Sequence, residues 1–217
     1  MTITYRDIWD KVSFYVKGEH KFFTSAQIKS IITEDAFNRI AEEVGYPKSN
    51  HSSYLTSGEW VVSSPANFIK VDANSQVTYK DASNTIRLKP KEQIAIGRDN
   101  ILTATPGTPS DYFLESDTKI GIYPPCTSGC VVIPYVSRPS WTSGVALVDD
   151  TSTNELTERC YMAAVYWTVS ENFIKDGDER GTGFREMYHN EISRLKSQYN
   201  MMLEIRRDVK PHAQYIK

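Results

Sequence analysis

The hydrophobic repeat of this chain changes period twice, and that change constrains the fold more than any other feature. Towards both ends the apolar residues recur three and four positions apart, the spacing of one helical face. Between them, from Glu59 to about Ser140, the chain breaks into short runs rich in Val, Ile, Thr, Tyr and Phe, punctuated by Pro, Gly, Asn and Asp. Such runs read as strands and turns. A helical pattern does not settle as a strand, nor the reverse. The order read is therefore two helices, a β domain, two helices.

The first helix spans 4–17, with Tyr5, Ile8, Trp9, Val12 and Val16 on one face and Gly18 as a stop. A second runs from Thr24 to about Val44. Thr24 and Gln27 have the spacing of a capping box, in which each side chain satisfies an orphan backbone N–H near the other. Ile28, Ile31, Ile32, Phe37, Ile40, Ala41 and Val44 supply its buried face, and Gly45-Tyr46-Pro47 ends it. Residues 48–58 are rich in Ser, Asn and His and read as a loop.

Strands are expected at 60–63, 68–72, 76–80, 85–89, 112–115, 119–123 and 130–136. The last two are expected to pair as a hairpin across 124–129. Pro90 is placed at the first position of one helical turn, where its missing N–H costs nothing. Residues 141–153 form a polar loop. Asn154 then caps a helix with Glu155 and Glu158 in its first turn, favourable against the positive end of the helix dipole. Its stripe is Leu156, Cys160, Ala163, Ala164, Trp167 and Ile174, and Asp176-Gly177-Asp178 breaks it. The last helix, from Thr182 to about Ile205, lines up Phe184, Tyr188, Ile192, Leu195, Tyr199 and Met202.

The fold class expected is α+β. A four-helix bundle is built from the two terminal helix pairs, with an inserted antiparallel β-sandwich or barrel and an extended C-terminal tail. The segments are 1–47, 48–140, 141–205 and 206–217. The length of 217 residues suffices for one substantial core or two small ones.

The formal charge of -2 gives no basic footprint for sequence-specific nucleic-acid binding. It suits a surface that DNA passes without sticking. No apolar stretch approaches the roughly 20 residues of a membrane span, so no membrane anchor is expected. The start lacks the basic and apolar regions of a signal peptide, which points to synthesis and assembly in the cytoplasm.

Catalytic motifs are missing from the sequence: there is no phosphate-binding G-x-x-x-x-G-K-[ST], no G-x-G-x-x-G and no G-x-S-x-G. The three cysteines, Cys126, Cys130 and Cys160, form no disulfide framework, and His20, His51, His189 and His212 are scattered. No metal or other cofactor is expected. The segment from Asp176 to Gly181 begins like a calcium loop. Arg180 occupies a ligand position, however, and Met187 stands where a bidentate Glu belongs, so it reads as a polar turn. The adjacent pairs Asp149-Asp150 and Glu42-Glu43 read as solvated surface.

The segment Gly107-Thr108-Pro109-Ser110-Asp111-Tyr112-Phe113, followed by Ile120-Gly121-Ile122-Tyr123-Pro124-Pro125, is distinctive. It resembles part of the head–tail adaptor proteins of short-tailed bacteriophages, neck or connector proteins also called tail tubular protein A-like. Two further stretches agree in order and spacing. The first is Trp60-Val61-Val62-Ser63-Ser64-Pro65-Ala66-Asn67-Phe68-Ile69-Lys70-Val71, and the second is Val132-Ile133-Pro134-Tyr135-Val136-Ser137-Arg138-Pro139. Phe22-Phe23-Thr24-Ser25, Gly177-Asp178-Glu179 and the later Phe184, Tyr188 and Leu195 also match in layout. The resemblance covers about residues 4–205. It departs at Trp60, where the family usually has Tyr, and at Asn67, where it usually has an acidic residue.

The resemblance implies a structural virion protein of the neck, not an enzyme. Its partners would be the portal protein, tail nozzle or tail-tube proteins, further copies of itself in a dodecameric ring, and double-stranded DNA passing through the lumen. It also implies that the C-terminal extension docks into portal grooves. There Arg206, Arg207 and Lys210 offer charge-assisted hydrogen bonds, Pro211 breaks the helix, and Tyr215 and Ile216 anchor. The competing readings are another neck ring, a stopper or nozzle, and a carbohydrate- or surface-binding β module presenting Trp60, Trp141, Tyr112 or Tyr123. An enzyme acting on cell wall or nucleic acid would need convergent acid–base groups that the sequence does not display.

Overall fold

The computed structural model describes residues 2–16, 23–142 and 148–208. They fold as a mixed α+β protein with two compact units, one drawn from residues 1–44 and 139–217 and the other from residues 45–138.

In the helical unit, α1 (Tyr5–Val16) buries Tyr5, Ile8, Val12 and Val16, the face its spacing predicts. The next helix starts as the capping box requires. The Gln27 amide donates to the Thr24 hydroxyl at 3.3 Å, and the Thr24 amide donates to the Gln27 side chain at 2.8 Å. It is not continuous, however. After α2 (Ser25–Ser30) the chain runs through a π-helical segment, Ile31–Ala36, before α3 (Phe37–Val44). The wider turn brings two of its residues to tryptophans distant in sequence. The Trp141 indole N–H donates to the Thr33 carbonyl at 3.1 Å, and the Trp167 indole N–H donates to the Asp35 carboxylate. Trp141 is buried edge-on against Phe37 and Tyr5, with centroids 5.4 and 6.3 Å away.

The helix α6 (Thr157–Lys175) is buried on nearly every side, because α1, the π segment, α3 and the last helix, α7 (Arg180–Asp208), all pack on it. A single stripe therefore under-describes it. Val165, Val169 and Phe173 are buried in addition to the expected residues, while Ile174 is 44% exposed. Asn154 is not the cap itself. Its side chain accepts from the Leu156 amide at 2.8 Å in the turn leading in, and Leu156 stands at the cap position. The turn into α7 uses Gly177 at a φ of 72°, where a side chain would be strained. At Gly181 a Cβ would lie 2.7 Å from Ile174 Cγ1, so the two helices meet closely at their shared end.

The β unit holds two sheets. Its strands are β1 (Lys48–Leu55), β2 (Val61–Ser63), β3 (Phe68–Val71), β4 (Thr78–Lys80), β5 (Thr85–Arg87), β6 (Lys89–Pro90), β7 (Asp111–Ser116), β8 (Lys119–Tyr123) and β9 (Gly129–Ser137). One sheet has the order β1-β9-β4-β5, with β3 also on β9; the other has the order β2-β8-β7-β6. Two short helices, α4 (Gln93–Ile96) and α5 (Arg98–Thr103), lie between β6 and β7 in sequence. One buried cluster draws on both sheets: Tyr79, Val131, Ile133 and Tyr135 from the first, and Val62, Ile120 and Ile122 from the second. Each such side chain, taken out of water, contributes roughly 1.5–3 kcal/mol.

Four expectations are corrected here. Residues 48–55, read as loop, form the longest edge strand, because β9 supplies an unbroken antiparallel partner from Lys48–Val136 to Leu55–Gly129. Tertiary pairing outweighs the weak strand propensity of Ser and Asn. The hairpin expected between 119–123 and 130–136 does not form. β8 pairs with β7 and β2, whereas β9 belongs to the other sheet. Pro124 and Pro125 lack the N–H needed to carry a ladder onward, and Cys126, just beyond them, makes an isolated bridge to Gly107. Pro90 lies in a strand, and the helical turn begins at Gln93. Finally, the pairing is not wholly antiparallel, since β6 runs parallel to β7.

Candidate functional site

The residues singled out by motif fall into three local groups in the β unit. Pro65 closes a turn by accepting from the Phe68 amide at 3.0 Å. Phe68 packs on Tyr135 with centroids 5.7 Å apart, and the Tyr135 hydroxyl donates to Asn67 Oδ1 at 2.9 Å. A carboxylate at position 67 would accept the same bond, so the departure from the family pattern keeps the contact. Trp60 is half-buried and stacks on Phe113, centroids 6.1 Å apart, with Tyr112 and Tyr123 partly buried nearby. Burial raises the Tyr112 phenol above its ordinary pKa. The Gly107 amide donates to the Pro125 carbonyl at 2.8 Å, Pro109 and Pro125 are buried, and Pro124 sits beside Gly107. Gly177 serves the turn between α6 and α7.

Of the tail residues, Arg206 and Arg207 fall in the last turns of α7. Lys210, Pro211, Tyr215 and Ile216 lie outside the described residues.

The helical unit contains a polar cluster that the sequence pattern does not reveal. Trp167 lies between two guanidinium groups, Arg39 at 4.0 Å and Arg185 at 3.9 Å from its ring. Such contacts contribute roughly 0.5–2 kcal/mol each. Arg185 pairs with Glu171, and Glu43 meets Arg39 at 3.6 Å, Lys196 at 3.7 Å and the Tyr188 hydroxyl at 2.8 Å. Glu43 is thus a junction between helices, not solvated surface as its adjacency to Glu42 suggests. The legible signal was the i, i+4 spacing of Arg39 and Glu43. Of the other carboxylate pair, Asp149 holds its own turn through Thr151 and Ser152, and Asp150 approaches Arg6 at 3.5 Å.

Chemically these groups are neutralised or locked. Burial, with the Glu191 charge adding, pushes the Cys160 thiol up to about 12, and burial also raises Cys126. Neither is a thiolate at neutral pH, the form that attacks or binds metal. Among the described residues no three His, Cys, Asp or Glu side chains are placed to hold a metal ion. The Asp178 carboxylate is held by Arg180 at 2.6 Å, so the segment from Asp176 is an ion-paired turn. No helix among the described residues is long and apolar enough to cross a membrane.

Two open grooves lie on the β unit. One groove of about 580 Å³ runs over β1, β9 and β4 beside Tyr54, Lys80 and Cys130. Another of about 640 Å³ lies beside Lys70, Pro90 and Leu114. Tyr54 is 85% exposed, the most exposed of the large apolar side chains among the described residues.

The distinctive residues thus hold turns, strand pairs and helix contacts, and the fold is that of a mixed α+β protein with two compact units. A family model for the SU10 adaptor protein matches residues 3–209, and the chain belongs to that family. The match accords with the resemblance to phage head–tail adaptors. No match was found among curated proteins.

Proposed function

We propose that the chain is a structural head-to-tail adaptor of a phage virion, forming a ring under the portal. The ring extends the DNA channel and presents the platform to which tail nozzle or tail-tube proteins attach. A dodecamer fits this role, with double-stranded DNA passing the lumen without sequence recognition. The protein acts in the neck, after assembly in the host cytoplasm, and uses no cofactor. The observation that carries the reading is the family match over residues 3–209. The order of elements supports it: helices, two sheets, helices, which suits a four-helix bundle with an inserted sandwich.

Residues 206–217 dock into portal grooves in this reading, through Arg206, Arg207, Lys210, Tyr215 and Ile216, with Pro211 ending the helix. Ordering such a tail costs roughly 1–2 kcal/mol per residue, which the groove must offset. A stopper or nozzle ring is the alternative within the same class. The carbohydrate-binding alternative is less favoured, because Trp141 is 4% exposed and Trp60 is packed on Phe113.

Electron microscopy of cognate portal rings mixed with the full chain, and with a variant ending at Ile205, tests both claims. Rings decorate the portal with the full chain, and decoration weakens with the shortened one. A full chain that ignores the portal sinks the adaptor reading. Equal decoration by both chains removes the tail from the mechanism.

A further inference from the structure

The first sheet ends in two different open edges, and their topology suits each other. β1 pairs only with β9, without a bulge, whereas the β3–β9 and β7–β8 pairings both shift register. Every second residue of an antiparallel edge strand points its N–H and C=O away from the sheet. Among the described residues no backbone or side-chain group takes those of Lys48–Leu55. Proteins usually blunt such edges with Pro, bulges or free Lys. Here β1 has no Pro, and its one Lys, Lys48, is engaged with Asp72 at 2.8 Å. At the far side of the sheet β5 pairs, among the described residues, only with β4.

We infer that β1 of one copy adds to β5 of the next, continuing the sheet between neighbouring subunits. The inference rests on the ring reading and names one subunit contact within it. Strand direction alternates along β1-β9-β4-β5, each pair being antiparallel. With four strands in the path, a copy related by rotation presents its β1 antiparallel to β5, so the alternation continues unbroken. Side-chain facing agrees as well. The registers place Tyr54, Cys130, Lys80 and Thr85 in one row, and Ser52, Val132, Thr78 and Arg87 in the next, all on one face. Tyr54 is exposed at one edge, and Arg87 is exposed at the other with no partner among the described residues. With these rows continued, Tyr54 and Arg87 are diagonal neighbours, within reach for a guanidinium to lie over a phenol ring, a favourable pair. The two edges differ, so the contact is heterologous, the kind that generates rings.

Hydrogen exchange read by mass spectrometry, on the monomer and on the portal-bound ring, tests this. Amides in 48–55 and 85–87 slow by about tenfold or more in the ring, while those of the central 130–135 change little. Tyr54→Lys, which sets a second cation beside Arg87, leaves the monomer folded because its side chain is exposed. It raises the concentration needed for ring formation by about tenfold. A ring in which 48–55 exchanges as in the monomer overturns the contact alone. Protection of 48–55 without 85–87 overturns the pairing with β5. A chain that forms no ring on the portal overturns the ring reading and this contact with it.

Discussion

The Tyr188 hydroxyl of α7 donates to the Glu43 carboxylate of α3 across 2.8 Å, joining residues 145 positions apart in sequence. Tyr188 is fully buried, and its ring lies 5.1 Å from that of Trp167, the indole held between Arg39 and Arg185. Packing and polar contacts of three helices therefore meet at one side chain.

Replacing only the hydroxyl separates these contributions. Tyr188→Phe is expected to lower unfolding stability by about 1 kcal/mol, because Glu43 keeps Arg39 and Lys196 as partners. Tyr188→Ala is expected to cost about 3–5 kcal/mol through the cavity it leaves. Urea denaturation of both variants checks the ordering; equal losses would place the whole effect in the hydroxyl.

Alkaline pH should destabilise the helical unit. Burial lifts the Cys160 thiol from 9.0 to about 12, and burial with the Glu43 hydrogen bond raises Tyr188. A raised folded-state value means that the stabilisation is complete below the unfolded-state value and falls as pH rises through the folded one. For Cys160 the loss begins near pH 9 and runs towards about pH 12, at up to about 1.4 kcal/mol per pH unit. Cys160→Ala should flatten this part of the profile, read from urea midpoints across the alkaline range.

Asp72 carries the opposite sign. Burial opposes its ionisation, but the Lys48 ammonium, the Ser75 hydroxyl and the Asn74 amide outweigh burial and hold its carboxyl below the ordinary 3.8. Its contribution is present above that value and disappears as pH falls through the lower folded one. Asp72→Asn should cost about 1.5–3 kcal/mol at neutral pH. It should also weaken the acid dependence of unfolding, measured by circular dichroism between neutral pH and about pH 2.

Gly121 on β8 has no room for a side chain, since a Cβ there would lie 2.2 Å from the Phe113 ring. Gly121→Ala should destabilise the β unit by about 1–3 kcal/mol through overpacking. Adding Phe113→Leu should restore part of the loss. Thermal unfolding of the single and double variants measures the coupling.

Local physics determined the features the sequence displayed by itself. The Thr24–Gln27 capping box, the stops at Gly45 and Gly177, the buried face of α1 and most strand positions all rest on neighbours within a few residues. The order of those elements, with the Gly107–Pro125 motif, also made the adaptor family legible. Tertiary structure decided what depends on distant partners. Lys48–Leu55 is a strand because β9 lies alongside, and β8 and β9 part because their ladders are completed by different strands. The π segment and the exposure of Ile174 reflect which helices surround α6, and Glu43 became a junction only when α7 brought Tyr188 to it. Helix caps and turns are closed by bonds three or four residues away, which a linear pattern records. The partners of β1 on β9 stand 74 to 88 positions away, and Tyr188 stands 145 positions from Glu43; only the folded chain brings those together.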